Sequence, residues 1–154
     1  MESKILFEEE QSFWQNKIAL LVFGVLLVLS ILAIMKGISL TQSLYLSAIV
    51  SFVILIFWGM LLRTEITQKS IKFGYKYVPF ANNELFWSEV QKIELQKYSF
   101  VGWGLRYSSS KGTIYNVAGN KGLQITLKTG KKYLLGTQKS DDLKKILEEL
   151  LPFF

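Results

Sequence analysis

The chain of 154 residues contains no histidine and no cysteine. Their absence excludes disulfide bonds, thiolate nucleophiles, histidine acid–base catalysis and the usual ligand sets for zinc, copper and haem. A serine nucleophile within Ser108-Ser109-Ser110 would need a lysine as its base, and no pattern places one there. We therefore predict no catalytic residues, no metal and no cofactor.

Charge is also scarce, and it is unevenly distributed. Charged residues make up 19% of the chain, against roughly 25% in typical soluble proteins. Apolar residues concentrate between Ile18 and Leu62, whereas the segment from Arg63 onward carries 15 basic and 8 acidic residues. The distribution predicts an apolar part followed by a basic polar part.

Two apolar runs contain no charge, namely residues 18–35 and residues 44–62. At 1.5 Å per residue they would cover about 27 and 28 Å as helices, close to the ~30 Å hydrocarbon core of a bilayer. Buried helices of a soluble bundle are the alternative, but such helices would have polar faces. The pattern predicts a transmembrane helical hairpin over residues 17–62.

The distribution of lysine and arginine predicts the orientation of this hairpin. Lys4 and Lys17 precede the first run and Lys36 stands alone in the connector, whereas several bases follow the second run. Under the positive-inside rule, both termini are cytoplasmic in a multi-pass protein of the inner membrane. Residues 1–16 are predicted to be an interfacial segment, either a helix at the membrane surface, a helix docked on the polar part or a disordered leader.

From residue 63 to 154 the periodicity changes to two-residue alternation, as in Ile71, Phe73 and Tyr75. Six to seven short strands with turn signals such as Thr129-Gly130 indicate a small antiparallel barrel or two packed sheets. Glu89 is expected to order a turn through hydrogen bonds. A helix is predicted from Ser140, with an apolar stripe that closes one end of the strands. Its members are Leu143, Ile146, Leu147 and Leu150.

Several short motifs resemble those of bacterial two-span membrane proteins with a PH-like domain. They are Trp-Ser-Glu-Val at 87–90, Gly-Trp-Gly-Leu-Arg-Tyr at 102–107, Tyr-Asn-Val-Ala-Gly at 115–119, Gly-Thr-Gln at 136–138 and the leader at 7–11. The resemblance implies an α+β membrane protein. Its transmembrane hairpin would precede a cytoplasmic PH-like antiparallel β-barrel over residues 63–154, capped by a C-terminal α-helix. It implies no settled activity.

The basic residues carry the functional prediction. Lys69, Lys72 and Lys76 follow the second apolar run, and Arg106 has a planar fork that suits carboxylate or phosphate. We predict a non-catalytic, membrane-anchored interaction module that binds a protein partner or a second copy of itself. Recognition of anionic lipid head groups by these four residues is the alternative. Internal ion pairs or simple orientation of the domain would also account for them. Membrane lipids are expected partners and nucleic acids are not.

Overall fold

The computed structural model describes residues 4–13, 17–37, 39–58, 61–99 and 104–150. Within these residues the chain forms two β-sheets and three α-helices. The strands are β1 (Ile5–Ser12), β2 (Leu61–Thr67), β3 (Ser70–Tyr75), β4 (Asn83–Phe86), β5 (Val90–Lys97), β6 (Gly104–Ser108), β7 (Gly112–Asn116), β8 (Lys121–Leu127) and β9 (Lys132–Thr137). The helices are α1 (Lys17–Met35), α2 (Leu40–Trp58) and α3 (Ser140–Leu150).

The first sheet has four antiparallel strands in the order β1-β2-β3-β4. Strand β1 precedes the two long helices and pairs with β2, which follows them, with Glu8 opposite Glu65. Ile5–Ser12 is therefore a strand, and the three alternatives predicted for this segment (a helix at the membrane surface, a docked helix and a disordered leader) are wrong there. The strand was hard to recognise because two of its three buried side chains, Glu9 and Gln11, are polar.

The second sheet has five strands in the order β5-β8-β9-β7-β6. Its pairs are antiparallel except for β7 and β9, which run parallel with Ile114 opposite Leu134. Among the described strands no hydrogen-bonded pair joins the two sheets, so the predicted PH-like antiparallel barrel is wrong. Alternation predicts which face of a strand is buried, but barrel closure depends on hydrogen bonds between strands distant in sequence.

One hydrophobic core joins the two sheets and α3. The aromatic centre of this core contains Phe73 and Tyr115, whose ring centroids lie 5.1 Å apart in an edge-to-face arrangement. Phe73 also contacts Tyr133, with centroids 5.4 Å apart. Helix α3 adds Leu143, Leu147 and Leu150, all buried. Helix α3 therefore begins at Ser140 as predicted and packs its buried leucine side chains against the core.

A buried carboxylate connects the first strand to the end of the last one. Glu9 is only 3% exposed. It accepts hydrogen bonds from the Thr137 hydroxyl at 2.6 Å and from the Gln138 backbone N–H at 2.7 Å. Beside it, the Gln11 side-chain amide donates to the Gly136 carbonyl at 2.7 Å. These bonds hold β1 against the other sheet and the start of α3.

No helix in the described part of the chain is both long and apolar enough to cross a membrane. This finding contradicts the predicted transmembrane hairpin and the multi-pass inner-membrane location with cytoplasmic termini. The second apolar run also departs from its predicted bounds. Helix α2 ends at Trp58, and Leu61 begins a strand whose Leu62 is completely buried. The apolar residues of that run are thus divided between a helix and the sheet core.

Candidate functional site

The outer face of the first sheet carries a row of charged side chains that its strand register brings together. Glu8 of β1 lies opposite Glu65 of β2, which lies opposite Lys72 of β3. Lys72 in turn lies opposite Glu84 of β4. Side chains directly opposite one another on one face are close enough to interact. Four strands therefore contribute one continuous charged surface.

A groove with a volume of about 500 Å³ lies on this face. Its position depends on Gly74 of β3, where an added Cβ would collide with Asn82. The glycine lets the segment before β4 approach the sheet closely and form one side of the groove. The lining residues are Arg63, Glu65, Lys72, Phe73, Gly74, Lys76, Asn82, Asn83 and Glu84.

Each cation that lines the groove is close to a carboxylate. Arg63 contacts Glu8 at 2.8 Å through Nη2 and Glu65 at 2.7 Å through Nε. Lys72 Nζ lies 3.5 Å from Glu84 Oε1. Lys76 Nζ lies 3.9 Å from Glu10 Oε1. Three cations therefore face four carboxylates, and the groove region has no positive excess.

Hydrogen bonds fix the β4 side of the groove. Glu84 Oε1 accepts a hydrogen bond from the Ser70 hydroxyl at 2.8 Å. The Asn83 amide donates to the Tyr115 hydroxyl at 2.7 Å and to the Ala81 carbonyl at 3.2 Å. Burial raises the pKa of Tyr115, an effect that the bond from Asn83 partly offsets. Tyr115 stays a neutral phenol at ordinary pH, and its contact with Asn83 anchors the groove to the aromatic core.

The structure places the four predicted site residues on different elements. Lys72 and Lys76 line the groove. Lys69 lies in the turn between β2 and β3, where its carbonyl accepts a hydrogen bond from the Trp87 backbone N–H at 3.1 Å. Arg106 is in β6, an edge strand of the other sheet. The predicted cluster is thus divided between two sheets.

Sequence reasoning missed Arg63, Glu65, Glu84 and Asn82 as groove residues. In the sequence Arg63 is one of several bases that follow the second apolar run, and no motif marks Glu65 or Glu84 as members of a site. Their alternation with buried residues along β2 and β4 was readable in the sequence. The register that aligns these strands was not, because it is set by pairing between segments far apart in the chain.

The chemistry available in the groove is ion pairing and hydrogen bonding. Among the described residues no group of three or more acidic, histidine or cysteine side chains is placed to hold a metal ion. The groove presents guanidinium, ammonium, carboxylate and amide groups on the outer face of the first sheet. Such a surface can bind an extended partner through many moderate polar contacts.

Comparisons with protein-family models, with curated proteins and with solved structures gave no match to this chain. The resemblance to bacterial two-span membrane proteins with a PH-like domain is contradicted by the fold of the described residues, and the comparisons do not support it. Its motifs are short combinations of glycine, aromatic and polar residues. In this chain the leader motif lies within β1, residues 104–107 lie in β6, and residues 102–103 are outside the described part of the chain.

Proposed function

We propose that the protein is a non-catalytic interaction module whose groove on the first sheet binds a polypeptide segment carrying both positive and negative side chains. The observation that carries this proposal is that every cation lining the groove has a carboxylate within 4.0 Å. The positive and negative side chains of such a partner can form ion pairs with the groove residues in place of the ion pairs within the sheet.

An anionic lipid head group fits the groove less well. It would have to compete with Glu8, Glu65, Glu84 and Glu10 for the three cations, and these carboxylates would repel it. Exposed ion pairs contribute only about 0.2–1 kcal/mol each, so a matching peptide can replace them at little cost. The arrangement therefore favours a protein segment as the ligand, and head-group binding stays the alternative for the experiment to decide.

The lining of the groove also argues against a small organic cofactor as the ligand. Sites for such molecules are mostly apolar concavities with a few polar groups. Here seven of the nine lining residues carry a charged or amide side chain, and the other two, Phe73 and Gly74, are buried. A chain that lies across the sheet face would contact the charged ends of these side chains.

The test is site-specific photo-crosslinking in cells with the full chain. A photoreactive residue at Asn82, which is exposed at the groove, should form an adduct with another protein. The same residue at Gln91, exposed on β5 of the other sheet, is the matched control and should form none.

A second variant tests whether the charge pattern matters. The double exchange Lys72→Glu and Glu84→Lys retains an ion pair at the surface but reverses its direction. We expect it to fold normally and to lose the adduct at Asn82. Equal adducts at Asn82 and Gln91, or an adduct that survives the exchange, would contradict the proposal. Preferential binding of the full chain to phosphatidylglycerol over phosphatidylcholine vesicles, lost above ~0.15 M salt, would support head-group recognition instead.

A further inference from the structure

Strand β4 is an edge strand of the first sheet, and it borders the groove. Among the described strands it pairs only with β3. The opposite edge of this sheet, β1, is held by the hydrogen bonds of Glu9 and Gln11 to residues 136–138 at the end of the second sheet. Of the two edges, β4 is therefore the one beside the groove and available to a further strand.

The hydrogen-bond pattern determines which backbone groups of β4 point outward. The Trp87 N–H donates to the Lys69 carbonyl at 3.1 Å. Hydrogen-bonded and non-hydrogen-bonded residue pairs alternate along antiparallel strands, so β4 also bonds to β3 through Leu85 and Asn83. The backbone N–H and carbonyl of Glu84 therefore point away from β3, towards the edge of the sheet.

The two neighbouring N–H groups on this edge have partners within the chain. The Asn82 N–H donates to the Pro79 carbonyl at 3.3 Å, and the Phe86 N–H donates to Glu89 Oε2 at 3.1 Å. Glu84 lies midway between them, and its N–H and carbonyl match the carbonyl and N–H of one residue in an extended chain. The edge therefore suits a short extended segment centred on Glu84.

We propose that the polypeptide segment bound at the groove pairs with β4 as a fifth strand of the first sheet. This inference rests on the proposed function, because the same segment is the ligand in both. Main-chain hydrogen bonds to Glu84 would hold the segment, as in other cases where a peptide adds to a sheet edge. Its outward side chains would extend the row of charges that already crosses the four strands.

The side chains of β4 define the chemistry of the paired segment. Glu84 contacts Lys72 and Ser70 through Oε1, so Oε2 can accept a hydrogen bond from a base on the added strand. Phe86 points to the same face, because side chains alternate along a strand, and it is 50% exposed. Residues directly opposite one another on paired strands interact. The segment is therefore expected to carry a lysine or arginine opposite Glu84 and an apolar residue two positions away, opposite Phe86.

The pattern of photo-crosslinks in the full chain tests the direction of the segment. A photoreactive residue at Phe86 should form an adduct with the same protein that is captured at Asn82, because both positions lie along β4. The matched control is Glu8, which is exposed in the same charged row. It belongs to β1, three strands or about 14 Å from β4, and should form no adduct.

Glu84→Ala and Glu84→Pro test the backbone hydrogen bond. Both variants remove the carboxylate, but only proline also removes the N–H. Because this N–H points away from β3, proline breaks no bond within the sheet and is tolerated at such an edge position. Circular dichroism and the urea midpoint verify that each variant is folded. Glu84→Ala should lower the adduct at Phe86 by less than about threefold, since an exposed ion pair is weak. Glu84→Pro should lower it by a further factor of roughly five or more, the effect of losing one backbone hydrogen bond.

An adduct at Glu8 as strong as the adduct at Phe86 would overturn the strand pairing, because the segment would then cross the strands. Equal adduct yields from Glu84→Ala and Glu84→Pro would overturn it as well. Either result leaves binding at the groove intact when Asn82 forms its adduct, whereas no adduct at Asn82 removes both the proposed function and this inference. If Glu84→Pro does not fold, the comparison of Phe86 with Glu8 decides alone.

Discussion

The hydrogen bonds of Glu9 allow a quantitative test of how the first strand is held. Its carboxylate is 3% exposed and accepts two short hydrogen bonds, from the Thr137 hydroxyl and the Gln138 N–H. Hydrogen bonds to charged groups contribute about 1.5–3 kcal/mol each. Glu9→Ala removes both and leaves the two donors without their acceptor. We expect it to lower the free energy of unfolding by about 3 kcal/mol, a large share of the 5–15 kcal/mol of a typical domain.

Glu9→Gln is the informative companion variant. The amide has the shape of the carboxylate, so its oxygen can accept from the Gln138 N–H while its NH₂ donates to the Thr137 oxygen. Only the charge-assisted part of the two bonds is lost, and the expected cost is about 1 kcal/mol. The ordering of the two variants therefore separates hydrogen bonding from charge.

Urea unfolding of the full chain, followed by circular dichroism, measures these differences as shifts of the midpoint at constant slope. Glu10→Ala is the matched control, because the neighbouring carboxylate is exposed and lies 3.9 Å from Lys76. Its loss should change stability by less than about 0.5 kcal/mol. The reasoning is refuted if Glu9→Ala costs no more than Glu10→Ala, or if Glu9→Gln costs as much as Glu9→Ala.

Two further predictions concern the core. Leu147 of α3 is buried in the shared core. Leu147→Ala should cost about 2–5 kcal/mol, and Leu147→Asp should unfold the domain because it buries an unpaired charge. Resistance of Leu147→Asp to proteolysis at the level of the unaltered chain would contradict the role of α3. Burial raises the pKa of Tyr98 to about 12, so the folded state retains this proton longer than the unfolded state. Stability present below pH ~10 is therefore lost as the pH rises towards about 12. Tyr98→Phe should reduce that loss in unfolding measurements across this range, and an unchanged pH dependence would show that the group is not involved.

Local patterns identified much of the strand-rich part. The Thr129-Gly130 signal falls in the turn between β8 and β9, where Gly130 has a φ of 84°. Glu89 orders a turn as expected, accepting a hydrogen bond from the Phe86 backbone N–H at 3.1 Å. The start of α3 at Ser140 and its leucine stripe also follow from sequence alone. These features depend on contacts within a few residues, so a short stretch of sequence is enough to predict each of them.

Only part of the candidate groove could be predicted from the sequence. Lys72 and Lys76 were predicted as candidate binding residues, but their carboxylate partners Glu84 and Glu10 come from other strands. A count of charges along the chain suggested a basic surface. Pairing across the sheet produced a surface in which the charges nearly balance, because the acidic residues of β1, β2 and β4 face the same side.

The sequence by itself determined the absence of histidine and cysteine chemistry, the alternating strands and the amphipathic C-terminal helix. Tertiary structure decided that β1 joins β2 across the two long helices, that Glu9 is buried and that the sheets stay separate. It also decided that Leu62, which belongs to the second apolar run, is a buried residue of strand β2. The physical reason is that composition and periodicity describe a segment's own preferences, whereas pairing and burial depend on which distant segment supplies its neighbours.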